Sequence, residues 1–230
     1  MIKSAGFIKT TLVNYPGKVA AALFLPGCNL RCPYCHNPEL VLGTADDLVD
    51  IDEILAYLEK RRGLLQGVCI SGGEPLVHED LGELAQAIKS MGYLLKVDTN
   101  GTFPDRILAL EPDFIAMDIK TVPEKYPMLS PVQDAALPDK IRQSIEIIKK
   151  SGIEHEFRTT VAPGIVDMKD IQDICKLLSG AQYYVLAGYV PGHTLSPDFT
   201  QETYTNSQMH QMAEIVRAAG IPLKLRNMEA

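Results

Sequence analysis

Three cysteines fall close together at Cys28, Cys32 and Cys35, in the run Gly27-Cys28-Asn29-Leu30-Arg31-Cys32-Pro33-Tyr34-Cys35-His36-Asn37. A single loop with this spacing can bring three thiolates around one metal centre. A structural zinc site wants four closed ligands, and His36, directly beside Cys35, is the nearby candidate for the fourth. A four-iron cluster held by three cysteines instead leaves one iron open to a substrate. Cys69, inside Val68-Cys69-Ile70, and Cys175, on the apolar side of a helical repeat, read as buried thiols that pack as small hydrophobes.

Other polar or glycine-rich segments carry possible chemistry. In Ser71-Gly72-Gly73-Glu74-Pro75 two glycines let a backbone approach a ligand and leave carbonyls free to accept from an amino group; the same string can also be a plain turn. Asp98-Thr99-Asn100-Gly101 and Ala116-Met117-Asp118-Ile119-Lys120 each set an acid at the end of an apolar run, where two acids could share a cation or an amine. Asn-Gly as a turn and Asp118 as a loop cap are the structural alternatives. Arg158 faces inward if strand alternation holds, and an inward arginine needs an anionic partner. His78, His155 and His210 have no companions and read as surface or packing residues, and the Met209, Met212, Val216 stripe reads as core.

The elements that position these residues follow from a recurring pattern of amphipathic segment, glycine and short apolar run. Gly92, Gly152 and Gly220 close predicted helices, with looser copies at Gly63 and Gly180. Leu81, Leu84, Ala85 and Ile88 keep a helical period, as do Ile171, Ile174, Cys175 and Leu178. Asp50 with Glu53 predicts a capping box. Strands are expected at Val19–Leu25, Gly67–Ser71, Leu94–Thr99, Phe114–Ile119, Glu154–Val161, Tyr183–Ala187 and Leu223–Arg226. Several are apolar throughout, as strands covered on both faces are. The class is therefore α/β with parallel strands, either an open sheet or a full or partial barrel. Residues 121–138, with four prolines, read as one surface excursion. The motifs all fall just after predicted strands, at the carboxyl edge where α/β proteins gather ligand sites.

Composition limits the alternatives. The chain has 230 residues, 46% hydrophobic and 22% charged, enough for one substantial core and one domain. Its net charge of −7 and lack of a basic cluster speak against nucleic acid and anionic membranes as partners. No apolar run approaches a membrane span and no signal-peptide pattern opens the chain, so a cytoplasmic, reducing location is expected. Five cysteines, three of them clustered, argue for ligands rather than a disulfide framework.

The cysteine spacing, with an aromatic before the last cysteine, resembles the signature of the radical S-adenosylmethionine superfamily. The longer match Tyr15-Pro16-Gly17-Lys18-Val19-Ala20, Pro26-Gly27-Cys28 and Cys35-His36-Asn37-Pro38-Glu39-Leu40 is similar to the activating enzymes of glycyl radical enzymes. Among these it most resembles the anaerobic ribonucleoside-triphosphate reductase activating proteins. The resemblance implies a single radical SAM domain over residues 1–230, a partial (β/α)6 barrel of the TIM type, with an N-terminal extension at 1–18 and the cluster loop at 26–38. It implies a 4Fe-4S cluster on Cys28, Cys32 and Cys35, with Tyr34 packed near the adenine of S-adenosylmethionine. Gly72, Gly73 and Glu74 would hold the methionyl amino group. Asp98 and Asp118, with backbone oxygens of Thr99 and Ala116, would bind a monovalent cation beside the methionyl carboxylate. Lys120 would neutralise that carboxylate unless it is a surface lysine, Arg158 stands where the family has an arginine and would be a cofactor-binding residue, and His193 would lie near the same ligand.

The implied reaction is reductive cleavage of S-adenosylmethionine to a 5′-deoxyadenosyl radical that creates a glycyl radical on a partner enzyme. Flavodoxin or ferredoxin would donate the electron. Alternatives are activation of pyruvate formate-lyase or another glycyl radical enzyme, or a small-molecule radical enzyme such as a 7-carboxy-7-deazaguanine synthase. A non-catalytic iron–sulfur or zinc protein is the rival from another class.

Overall fold

The computed structural model describes residues 2–199 and 202–227. Its strands are β1 (Ser4–Thr11), β2 (Ala20–Leu25), β3 (Val49–Asp50), β4 (Gly67–Gly72), β5 (Leu94–Thr99), β6 (Phe114–Asp118), β7 (Glu154–Val161), β8 (Tyr184–Gly188) and β9 (Leu223–Arg226). The helices are α1 (Pro38–Leu42), α2 (Ile51–Lys60), α3 (Leu81–Ser90), α4 (Pro104–Ile107), α5 (Leu137–Lys150), α6 (Met168–Leu177) and α7 (Asn206–Ala218). The chain forms two compact units. One takes the chain up to Asn29, Asn37–Thr99 and Asp105–Ile115; the other takes Leu30–His36, Asn100–Pro104 and the chain from Ala116 onward.

In the first unit the hydrogen-bonded order is β3-β1-β2-β4-β5. β2, β4 and β5 run parallel, with Ala22 opposite Cys69 and Cys69 opposite Lys96. Alanines at 20, 21 and 22, and Val68, Cys69 and Ile70 beside them, are wholly buried. That burial on both faces is why these strands read as unbroken apolar runs. Gly67 leaves room for a ring: a Cβ there would lie 2.9 Å from two ring carbons of Tyr15. Tyr15 is buried in consequence, 5.9 Å from the Phe114 ring.

Within residues 1–18, expected as an N-terminal extension, the chain forms the strand β1. It pairs antiparallel with β2, Phe7 opposite Leu23 and Ile8 opposite Ala22, and with β3 through Ala5 and Val49. Its own pattern is weak, since Ala5 and Thr11 are its buried residues while Lys9 and Thr10 face solvent. The capping box predicted for α2 is also replaced. Asp50 caps the helix, but it accepts from the Asp52 N–H rather than from residue 53. Closed capping boxes instead stand at α6, through Asp167 and Asp170, and at α7, through Thr205 and Gln208.

The second unit has the order β6-β7-β8-β9, and β7, β8 and β9 are parallel, with Arg158 opposite Val185 and Val185 opposite Lys224. Ile171, Ile174 and Cys175 of α6 and Met209, Met212 and Val216 of α7 are buried as their spacing predicts. Burial pushes the Cys175 thiol up to about 11, so it is an inert core group. Residues 121–138 are not wholly a surface excursion. Thr121, Val122, Tyr126 and Leu129 are buried there, and Pro123–Leu129 winds as a 3-10 turn. Proline counts signal irregular backbone, but they do not say whether that backbone is covered. No helix among the described residues is long and apolar enough to cross a membrane.

Gly92, Gly152 and Gly220 follow α3, α5 and α7 with φ of 86°, 74° and 71°, the left-handed closure expected of them. Gly72 is more constrained: at φ 129° a Cβ would sit 2.3 Å from both the N and the O of Leu25. Gly72→Ala should therefore cost about 3 kcal/mol or more of stability. Gly82→Ala, on α3 with open space around it, should add about 0.5–1 kcal/mol. Denaturant unfolding of both variants checks the pair.

Candidate functional site

In the first unit the carboxyl ends of β2 and β4 meet through backbone. Gly73 N–H donates to Leu25 O at 2.9 Å, and Glu74 N–H donates to Gly27 O at 2.9 Å. A Cβ on Gly73 would lie 2.0 Å from Gly27 O and 3.2 Å from Cys28 Cβ. Glycine at 73 is thus what lets the Gly-Gly-Glu-Pro turn lie against the Cys28 end of the cysteine loop. Gly27 is held from the other side, its N–H donating to Leu40 O of α1 at 2.7 Å. His78, read as a surface or packing residue, is half-buried, with Nε2 2.9 Å from Pro26 O.

Glu74 is fully buried, and its Oε1 accepts from Leu76 N–H at 3.1 Å and Thr99 Oγ1 at 2.8 Å. That oxygen is used inside the protein, so the surface this turn offers a ligand is mainly the backbone at Gly72 and Gly73. Asp98, at the end of β5, is also engaged. One oxygen forms an ion pair with Lys96 Nζ, and the other accepts from Ser71 Oγ at 3.1 Å. Lys96 was not singled out in the sequence. Its signal is a lysine within an apolar strand two residues before an acid, which puts both side chains on one face.

In the second unit the segment Leu30–His36 is fastened at several points. Arg31 N–H donates to Leu129 O at 2.6 Å, Leu195 N–H to Cys35 O at 2.8 Å and Ser196 N–H to Pro33 O at 3.1 Å. Cys35 N–H turns back to Cys32 O at 3.0 Å, and His36 Nε2 lies 2.7 Å from Val190 O. Tyr34 is buried, its ring 6.1 Å from Phe199, which in turn meets Tyr189 edge-on at 5.4 Å. Its hydroxyl has no hydrogen-bond partner among the described residues. Burial first, and then the neighbouring Cys32 thiol, raise its pKa well above the ordinary tyrosine value. His193 is exposed.

Asp118, at the end of β6, is the centre of the charged groups here. Arg158 Nε approaches it to 2.6 Å and Lys120 Nζ to 3.1 Å. Burial alone would raise the Asp118 pKa, but the two cations outweigh it and hold the carboxyl far below the usual range. Arg158 has its anion, as an inward arginine requires, and Glu156 stands 3.8 Å from its Nη1. Glu156 is buried, lies 3.9 Å from Arg226 Nη2 and was not anticipated. Alternation along β7 places it on the face of Arg158, which was the available signal.

None of Cys28, Cys32 and Cys35 is in a disulfide; Cys32 is buried and the other two are half-buried. Three thiols and no carboxylate suit the soft donor chemistry of an iron–sulfur cluster. Among the described residues no group of three or more histidines, cysteines or acids, these thiols included, is placed so as to hold a metal ion, so the fit rests on donor type. The expected monovalent cation fits poorly. Asp98 and Asp118, which were to share it, each already have protein cations as partners. No step is assigned to a cation.

Residues 23–178 match the family model described as the Radical SAM superfamily. Over 208 residues the chain is 32% identical to a Methanocaldococcus jannaschii protein assigned to the glycyl-radical enzyme activating enzymes, covering 85% of this chain and 83% of that one. Over 199 residues it is 34% identical to the pyruvate formate-lyase-activating enzyme of Listeria monocytogenes, covering 80% and 78%. The crystal structure of QueE from Escherichia coli shares the fold with a TM-score of 0.56 at 15% identity, covering 98% of this chain and 94% of that one. The chain belongs to the radical SAM superfamily and, within it, to the glycyl-radical enzyme activating enzymes. It is thus an enzyme, and its family implies a 4Fe-4S cluster and S-adenosylmethionine as its cofactors.

Removing the Asp118 charge leaves Arg158 and Lys120 facing each other. Both are partly exposed, so Asp118→Asn should cost about 1–2 kcal/mol near neutral pH. A depressed carboxyl stabilises the fold above its unfolded pKa and loses that contribution as pH falls through the folded value. The gap between wild type and variant should therefore shrink in acid. Melting curves taken from neutral pH downward would show it, and a gap constant with pH would contradict the assignment.

Proposed function

We propose that this enzyme uses a cluster on Cys28, Cys32 and Cys35 to cleave S-adenosylmethionine and to generate a radical on a glycine of a partner enzyme. The partner we assign is anaerobic ribonucleoside-triphosphate reductase. The observation that carries the reading is the packing of the Gly72–Gly73 turn against the Cys28 end of a three-thiol loop, in a chain whose relatives are activating enzymes. When bound and reduced, the cluster supplies the electron that splits S-adenosylmethionine into methionine and a 5′-deoxyadenosyl radical.

The protein's own part is placement and exclusion of competing reactions. Backbone at Gly72 and Gly73, kept close to Cys28 by the absence of a Cβ, meets the methionyl amino group. Arg158 and Lys120, already oriented by Asp118, present positive charge to the methionyl carboxylate. Tyr34, in its aromatic surroundings, packs towards the adenine. Glu74 acts through the turn it caps, and Asp98 through the shape it gives the end of β5. His193, exposed in the structure, lies near the same ligand. Flavodoxin or ferredoxin is the proposed electron donor, and a reducing cytoplasm is the setting in which free thiols and a reduced cluster coexist. The expected monovalent cation has no place in this mechanism.

A second reading, activation of pyruvate formate-lyase, is favoured by the likeness to the enzyme of that name. The deciding experiment is anaerobic. Protein reconstituted with iron and sulfide is given S-adenosylmethionine and dithionite, and 5′-deoxyadenosine is quantified against Cys32→Ala. Each candidate partner is then added and the glycyl radical sought by electron paramagnetic resonance. We expect product that depends on Cys32 and a radical on the ribonucleotide reductase. A radical on pyruvate formate-lyase alone would replace the partner, and a full cluster that yields no product with either would overturn the activity. Alanine at Cys28, Cys32 or Cys35 should abolish iron binding, whereas alanine at Cys69 or Cys175 should leave iron content near wild type. Equal loss in both sets would refute the ligand assignment.

A further inference from the structure

We infer that the Lys96 ammonium is a built-in counter-ion for Asp98, so that this carboxylate binds no monovalent metal ion. Lys96 is 1% exposed, in the middle of β5. Its Nζ forms an ion pair with Asp98 Oδ1, stands 3.7 Å from Cys69 Sγ and lies 5.8 Å from the centre of the Phe114 ring. A buried ammonium is tolerated where a carboxylate pairs with it and polarisable neighbours surround it. The sheet places these partners: Cys69 is directly opposite Lys96 on β4, and Asp98 is two residues further along the same face of β5.

The second Asp98 oxygen accepts from Ser71 Oγ, so both oxygens are oriented by the protein itself. An alkali ion added here would approach a carboxylate whose charge is already matched, and would face the ammonium across it. The attraction that would hold such an ion is therefore cancelled by a like charge inside the fold. Lys96 is thus a positioning residue, holding Asp98 at the end of β5 as a bound ion otherwise would. The inference rests on the proposed function only in treating Asp98 as a site residue.

The test begins with the chain free of cluster and S-adenosylmethionine, so its outcome does not depend on the activity. Replacing potassium or sodium chloride by tetramethylammonium chloride at equal ionic strength should move the wild-type melting temperature by less than about 1 °C. Lys96→Ala, which vacates the ammonium, should gain roughly 3 °C from potassium or sodium over tetramethylammonium. Lys96→Arg should remain indifferent. If Lys96→Ala does not fold, Lys96→Met keeps most of the stem packed, loses the charge and is expected to show the same gain. In the reconstituted holoenzyme, the Kd for S-adenosylmethionine should agree within about twofold between potassium and tetramethylammonium for wild type. Specific stabilisation of the wild type by an alkali ion, or indifference in folded charge-deleted variants, would overturn the inference.

Discussion

The backbone of residues 72–74 lies so close to that of residues 25–27 that neither Gly72 nor Gly73 has room for a side chain. Two N–H donors, from Gly73 and Glu74, bridge the gap to Leu25 and Gly27. Much else in the first unit follows from this contact. It sets where Cys28 leaves β2, it obliges Glu74 to turn inward and cap the next turn, and it brings Thr99 of β5 within hydrogen-bonding reach of that carboxylate. A side chain at either glycine would move a strand end, since the obstructing atoms are backbone and cannot rotate away.

Charge is handled by the same local economy in both units. Asp98 is matched by Lys96 and Asp118 by Arg158 and Lys120, each acid near a strand end and each cation on the same strand, the next strand or the following loop. A buried acid without such a partner would be costly, and one with it becomes a rigid reference point. Asp118 also spares Arg158 and Lys120 from repelling one another, so two positive groups can remain adjacent, their orientation set by the fold itself.

The family is carried by the stretch that also holds most of the motifs. Residues 23–178, which match the radical SAM superfamily, contain the three thiols, the glycine turn and the charges at Asp98, Asp118, Lys120 and Arg158.

The positions of the core strands, the helical faces and the three-cysteine loop were all legible in the sequence, because burial on both faces and a period near 3.6 leave a local trace. So were Arg158 and its need for an anion. β1 was not, since an edge strand with one sparsely buried face has little pattern, and its place depends on pairing with β2. Nor could sequence say that Tyr126 and Leu129 are covered, that Glu74 faces inward, or that His78 reaches Pro26. Most tellingly, Asp98 and Asp118 looked alike as acids at strand ends, and only the tertiary structure showed which cations each one holds. Residue type and spacing determine what chemistry is available; which groups neutralise one another is decided by contacts between segments distant in the chain, and those have no local signature.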